Sequence, residues 1–247
     1  MELYTLIGEI VAGIIYLSMG VQLYRLSTQS RQIPDRLLSV TLLAWGLSYL
    51  VYDAFVIVAG PGAEIAPWVS FSSVFVRYLG SIAFASFTRS VFRRREAWAL
   101  WLVAAIAIGL VAGLVGSVLM GDWSGGDPVG NPWYWPKWAC GAAPLVWMGA
   151  EGFSHFAKAR QRCKLGLCKP LDANRYLLWG LAGVLWAVLE IVVIGQDVVY
   201  QQTGAWSASV GLAVCWLEIV PVVLIWLVFF PPAGYRRWID GPIPAAS

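Results

Sequence analysis

Charge is what this sequence has least of. Seventeen basic and 14 acidic residues are spread over 247 positions, and 59% of the chain is hydrophobic. A soluble domain of this size cannot hide that much apolar surface, so the expected solvent is lipid. The mean hydropathy of +0.69 agrees. A net charge of +3 this thinly spread describes topology rather than affinity for nucleic acid, and no nucleic-acid partner is expected. Histidine occurs once, as His155, which excludes bis-histidine haem ligation and a histidine-rich metal centre. No GxSxG, HExxH or phosphate-binding glycine loop is present, so neither an enzyme nor a cofactor is expected. Among the four cysteines, Cys163 and Cys168 share the loop CKLGLC without CxxC spacing or a second ligand pair, which argues against zinc. Cys140 and Cys215 fall inside helical runs and read as small packing residues.

What is present is a series of long apolar runs. Seven reach roughly 20 residues, the length that spans a bilayer as a helix: about 3–26, 37–59, 68–92, 97–120, 137–157, 175–199 and 207–229. None alternates as a barrel strand would. The fold class is therefore an all-α membrane protein, a single seven-helix transmembrane domain over 1–247. The first run lacks a basic n-region and a small-residue cleavage site, and reads as a retained helix rather than a signal peptide. Of the 17 basic residues, 15 fall on one side of such a bundle; Arg77 and Lys137 are the exceptions. The positive-inside rule places the N-terminus outside and the C-terminus in the cytoplasm of a cell (inner) membrane. The CKLGLC loop is then cytoplasmic, where no disulfide is expected. On the outer side, residues 121–136 are punctuated by glycine and proline. Trp123, Trp133, Tyr134 and Trp135, with Trp68, Trp138 and Trp206, suit a headgroup-level aromatic belt.

Seven ionisable residues stand out inside the runs: Glu9, Asp53, Arg77, Glu151, His155, Glu190 and Glu218. A carboxylate in mid-membrane costs on the order of 3 kcal/mol, so each must face protein or water rather than lipid. Counted from the outer helix ends, Glu9 and Asp53 lie roughly 9 Å deep, Arg77 and Glu190 roughly 13 Å, and Glu218 roughly 16 Å. Five helices thus bring charge to one layer in the outer half. Arg77 is its only cation, and four ionised acids around it would repel, so the cluster needs protons, water or a bound cation. Glu218 is expected within contact distance of Arg77, directly or through one water. Pro221 supports a polar site there, because it leaves a backbone carbonyl unbonded one turn earlier. A buried network that only fixes helix packing is the plainer alternative. Glu151 and His155, spaced i,i+4, form a separate candidate proton-handling pair near the inner end. Glycines at 109, 113 and 116 and in GLAGVLWAVLEIVVIG read as close helix packing, with homo-oligomer contact as the weaker alternative.

Several of these features resemble the microbial rhodopsins. Arg77-Tyr78 is similar to the Arg-Tyr pair of their third helix, and Trp186 to the sixth-helix Trp that packs on retinal. Glu218, in WLEIVPVV, stands where they place a helix-seven carboxylate. The retinal lysine, four residues on, is here Val222, and the primary counterion position is Gly80. All four lysines lie at helix ends or in loops, so no covalent retinal is expected. The stretch RQRCKLGLCKPLDANRYLLWG also resembles uncharacterised bacterial seven-helix membrane proteins, several of them similar to sensory input modules. Together these features imply a receptor or sensor whose outward pocket is lined by Asp53, Arg77, Trp186, Glu190, Trp216 and Glu218. The acidic excess favours a cationic or protonatable small ligand, or protons. The loop 158–175 would signal to a separate cytoplasmic partner. The alternative is a proton or cation channel or transporter, with Glu9, Glu151 and His155 as relay.

Overall fold

The computed structural model describes residues 3–59, 66–121, 129–204 and 207–240, excepting the side chains of 3–6, 53, 56, 59 and 208. Among these residues the chain is wholly helical: α1 (Leu3–Ser30), α2 (Ile33–Ala59), α3 (Pro67–Phe92), α4 (Ala97–Leu119), α5 (Tyr134–Lys164), α6 (Pro170–Thr203), α7 (Ala208–Phe229) and α8 (Ala233–Asp240). Local chemistry sets several boundaries. Pro67 and Pro170 occupy the first turns of α3 and α6, where a missing N–H leaves no bond unmade. Helix α6 ends at Gly204, whose φ of 69° needs no Cβ-bearing residue.

Consecutive helices pack side by side, and α7 returns to α1, closing the bundle into a ring; α3 also touches α5, and α8 rests on α6. Five helices are long and apolar enough to cross a membrane: α1, α3, α4, α6 and α7. Their outward faces agree. On α4, Trp101, Ile108, Val111, Val115 and Leu119 form a stripe at helical spacing, each at least 51% exposed. Water would not tolerate such a stripe, and lipid favours it. The chain is a helical membrane protein.

Small residues let the helices close. A Cβ on Gly152 would strike the backbone of Gly180, and one on Gly183 would strike that of Gly149. The α5–α6 contact is therefore backbone against backbone. Gly109 and Gly113 seat Cys140 and Lys137 of α5, and Gly116 seats Trp133 just before it, so these glycines serve packing within one chain.

The two ends of the bundle differ. Trp68 and Trp135, 65% and 49% exposed, mark the tryptophan end, with Trp133 beside them. Trp123 and Trp206 lie outside the described residues, and Tyr134 is buried rather than part of a belt. The other, basic end carries Arg93–Arg95, the α5–α6 loop and α8. In that loop Cys163 and Cys168 form a disulfide, contrary to the sequence expectation. Gly166, at φ 72°, turns the chain so that the two Cα atoms approach to 4.6 Å.

Candidate functional site

A buried polar network crosses the middle of the ring. Glu218 of α7 is 3% exposed, and its Oε1 accepts a 2.7 Å hydrogen bond from the Tyr49 hydroxyl of α2. Its backbone carbonyl accepts one of 3.3 Å from Tyr16 of α1, beside the position that Pro221 leaves unbonded. Trp186 of α6 donates its indole N–H to the Tyr16 oxygen at 3.1 Å. The rings of Tyr16 and Tyr49 stack, 6.0 Å apart and 7° from parallel. Arg77 of α3 holds its guanidinium 5.6 Å from the Tyr49 ring centroid, a cation–π contact. Its Nη2 lies 3.7 Å from Glu190 Oε1 of α6.

Helical periodicity explains which of the expected residues meet. Trp186 and Glu190 are spaced i,i+4 and share a face of α6. On α7, Glu218, Val222 and Ile225 are all buried. Trp216, two residues from Glu218, projects to the opposite side and is 66% exposed, so it does not join the network. Arg77, Trp186, Glu190 and Glu218 converge as expected. The ion pair of Arg77 is with Glu190, however, and Tyr49 links it to Glu218. Asp53 lies in α2 with its side chain outside the described residues.

Two cavities adjoin the network. The larger, about 330 Å³, opens toward the tryptophan end between α1 and α5. Glu9 stands on one wall, Arg77 and Lys137 on others, with Tyr52 and four serine hydroxyls (Ser48, Ser70, Ser73 and Ser117) between them. The smaller, about 30 Å³, lies behind it among Trp45, Trp186, Glu190 and Leu189. Tyr49 and Arg77 border both, and so form the partition. Thirty cubic ångströms is about one water's share of liquid volume.

The reason for so little space is aromatic filling. Trp45 packs edge-on against Trp186 at 5.3 Å and against Phe84 at 5.4 Å, while Phe84 meets Trp186 at 5.7 Å. Gly80 makes this possible, since a Cβ there would fall 2.7 Å from the Trp45 ring. Gly80 is thus a seat for an indole.

Three participants went unnoticed in the sequence. Tyr16 and Tyr49 carry no charge and drew no attention in apolar helices. Asp197 does carry one. Its Oδ2 accepts a 2.8 Å bond from Tyr134, tying the ends of α5 and α6 at the tryptophan end. Its spacing of seven from Glu190, the same helix face, was the available signal.

Toward the basic end, Glu151 is 5% exposed, and its Oε1 takes both of its side-chain hydrogen bonds. Arg93, just past α3, donates to Glu151 Oε1 at 2.6 Å, and the Trp147 indole donates to the same oxygen at 3.2 Å. The carboxylate raises the Arg93 pKa above its already high ordinary value through that hydrogen bond. His155 Nδ1 is 3.0 Å from the Glu151 carbonyl and 3.6 Å from its Oε2, with its ring between Phe92 and Tyr176. Between this cluster and the Glu218 network lie Phe84, Phe87, Leu145, Met148 and Trp179, all buried.

No protein-family model, curated protein or solved structure matches the chain.

Proposed function

We propose that the protein is a seven-helix membrane receptor or sensor, with α1–α7 spanning, the N-terminus outside and the C-terminus in the cytoplasm. Its ligand occupies the cavity of about 330 Å³ at the outer end. The observation that carries this reading is the position of Arg77. One side of it borders an open cavity, and the other holds the buried Glu190 and the Tyr49–Glu218 bond. A ligand that engages Arg77 from the cavity competes with Glu190, whose 3.7 Å contact is loose for an ion pair. The partition then shifts, and α6 and α7 feel it through Glu190 and Glu218. Both helices run on to the basic end, where the α5–α6 loop and α8 offer a surface to a cytoplasmic partner.

The lining bears on ligand class. Glu9 suits the ammonium group inferred from the acidic excess, while Arg77 and Lys137 suit an acid. A small zwitterion of amino-acid size satisfies both, and 330 Å³ is at the lower end of small-molecule sites. Retinal fits poorly. Val222, 1% exposed, offers no amine, and the aromatic filling leaves about 30 Å³ where the resemblance would put a chromophore. Orientation rests on the 15 basic residues at one end. The Cys163–Cys168 disulfide sits at that end too, and a reducing compartment can open a disulfide but cannot remove fixed charge.

The test is a thermal-unfolding screen of the protein in nanodiscs against free amino acids, their decarboxylated amines and their deaminated acids. Zwitterions should stabilise most, and Arg77→Gln should abolish the response. Stabilisation by the amines alone, or a response that survives Arg77→Gln, would overturn the assignment.

A further inference from the structure

The bundle has a second opening, at the basic end, larger than the first. It is a cleft of about 640 Å³ between α5, α6 and α7. His155, Lys158 and Arg162 line it from α5, at spacings that put all three on one face. From α6 come Asp172, Arg175, Tyr176 and Trp179, again a single helical stripe. Val228 of α7 and Trp179 supply an apolar floor, and Cys168 of the disulfide stands at the rim.

The charges are unbalanced. Three permanent cations face the cleft against one carboxylate, Asp172, which lies 3.5 Å from Arg175 Nη1. Among the described residues no carboxylate pairs with Lys158 or Arg162. Those two are themselves i,i+4 on one helix, a like-charge spacing that destabilises unless an anion intervenes. The Nε of Arg175 is buried and makes no hydrogen bond. The Arg175 side chain as a whole is 43% exposed, so part of its guanidinium remains accessible beside its contact with Asp172. Lys158 and Arg162 are exposed, and together with Arg175 they line one concave site.

We infer that this cleft binds a phosphate group, held by Lys158, Arg162 and Arg175. Arg175 presents a planar fork suited to phosphate oxygens, and the two α5 cations supply the opposing charge. Two sources share that chemistry: the headgroup of an acidic phospholipid and a free phosphate compound. The cleft meets either need, because its floor is apolar and its mouth is open at the basic end of the bundle.

The experiment uses the full chain in nanodiscs of pure phosphatidylcholine, or of phosphatidylcholine with a minority of phosphatidylglycerol. Inorganic phosphate is titrated into the first set at constant ionic strength, with thermal unfolding and calorimetry as readouts. Native mass spectrometry counts retained phosphatidylglycerol in the second. Stabilisation by phosphate in neutral discs identifies a free phosphate ligand, and retention of phosphatidylglycerol identifies the headgroup; either supports the site. Arg175→Gln should weaken the response about tenfold, equivalent to about 1.4 kcal/mol. Lys158→Gln, on the exposed side of α5, reads the same effect should Arg175→Gln fail to fold. Arg94→Gln with Arg95→Gln, at the same end but outside the cleft, should leave binding unchanged. Absence of both responses, or equal loss in the Arg94/Arg95 control, would overturn the inference.

Discussion

Replacing Arg77 with glutamine keeps the size and polarity of the side chain while removing its charge. Two contacts disappear, the 3.7 Å pair with Glu190 and the cation–π contact with Tyr49. Stripping one partner from a fully buried pair costs about 3–5 kcal/mol. Arg77 is 38% exposed, a fraction that faces the cavity, and Glu190 is 12% exposed, so solvent discounts the figure. The cation–π contact adds about 1 kcal/mol in a partly wet site. A loss of about 2–4 kcal/mol is expected, which for a chain of this length lowers Tm by roughly 4–16 °C. The decisive assay is a pair of double-mutant cycles read by thermal unfolding in one detergent. Arg77→Gln with Glu190→Gln should fall well short of additive, with a coupling of at least about 1 kcal/mol. Arg77→Gln with Glu218→Gln should couple less, because Tyr49 stands between those two groups. Additive losses in the Glu190 cycle, or a stronger coupling to Glu218, would refute the assignment of partners.

Other parts of the structure make equally direct commitments. Gly152→Leu should destabilise by about 1–3 kcal/mol or prevent assembly, because its side chain meets the Gly180 backbone, and thermal unfolding should show it. Gly195→Ala, which meets nothing within 4 Å, should stay within about 0.5 kcal/mol of the parent. Incubation with all-trans-retinal followed by borohydride should leave the α7 peptide at its unmodified mass, since Val222 replaces the lysine. Proteoliposomes should hold an imposed pH gradient, and Glu151→Gln with His155→Ala should not alter the leak; a proton flux sensitive to those substitutions would restore the conducting alternative.

The long helices were legible as uninterrupted apolar runs, a signal needing no tertiary information, and five of them, α1, α3, α4, α6 and α7, are long and apolar enough to cross a membrane among the described residues. Their cores were located within a few residues; their ends were not. Helices α5 and α6 run to 31 and 34 residues because polar segments such as AKARQRCK remain good helix formers past the apolar limit. Helix α8 was missed as a basic flank, although Tyr235 and Trp238, spaced i,i+3 and 5.9 Å apart, marked an amphipathic face. The site was legible only as charge. Depth counting brought Arg77, Glu190 and Glu218 into one layer, yet it carries no angular information between helices. It therefore did not single out Glu190 as an ion-pair partner of Arg77 and passed over the uncharged Tyr49, which bonds Glu218. Depth and residue type likewise say nothing of which way Trp216 faces: two residues from Glu218, it points away and is 66% exposed.

Under the proposed reading, the arrangement also constrains how a signal would cross the bilayer. The polar networks near the two ends are separated by the buried Phe84, Phe87, Leu145, Met148 and Trp179. A proton chain needs donors or water within hydrogen-bond reach at every step, and close-packed aromatics offer neither. What such a layer transmits well is displacement, because a core at crystal-like density yields little to compression. Helices α5 and α6 share a backbone-to-backbone contact at Gly149, Gly152, Gly180 and Gly183, and should move as one body. Glu190 is on α6 at one end of that body, and the cation-lined cleft straddles α5 and α6 at the other. A shift of Arg77 away from Glu190 would thus reach the cleft as a rigid tilt. Widening the contact by Gly183→Ala, whose Cβ would meet the Gly149 backbone, should uncouple the ends, leaving ligand stabilisation at the outer cavity intact while the response at the basic end weakens. Equal loss at both ends would point to general destabilisation instead of a broken lever.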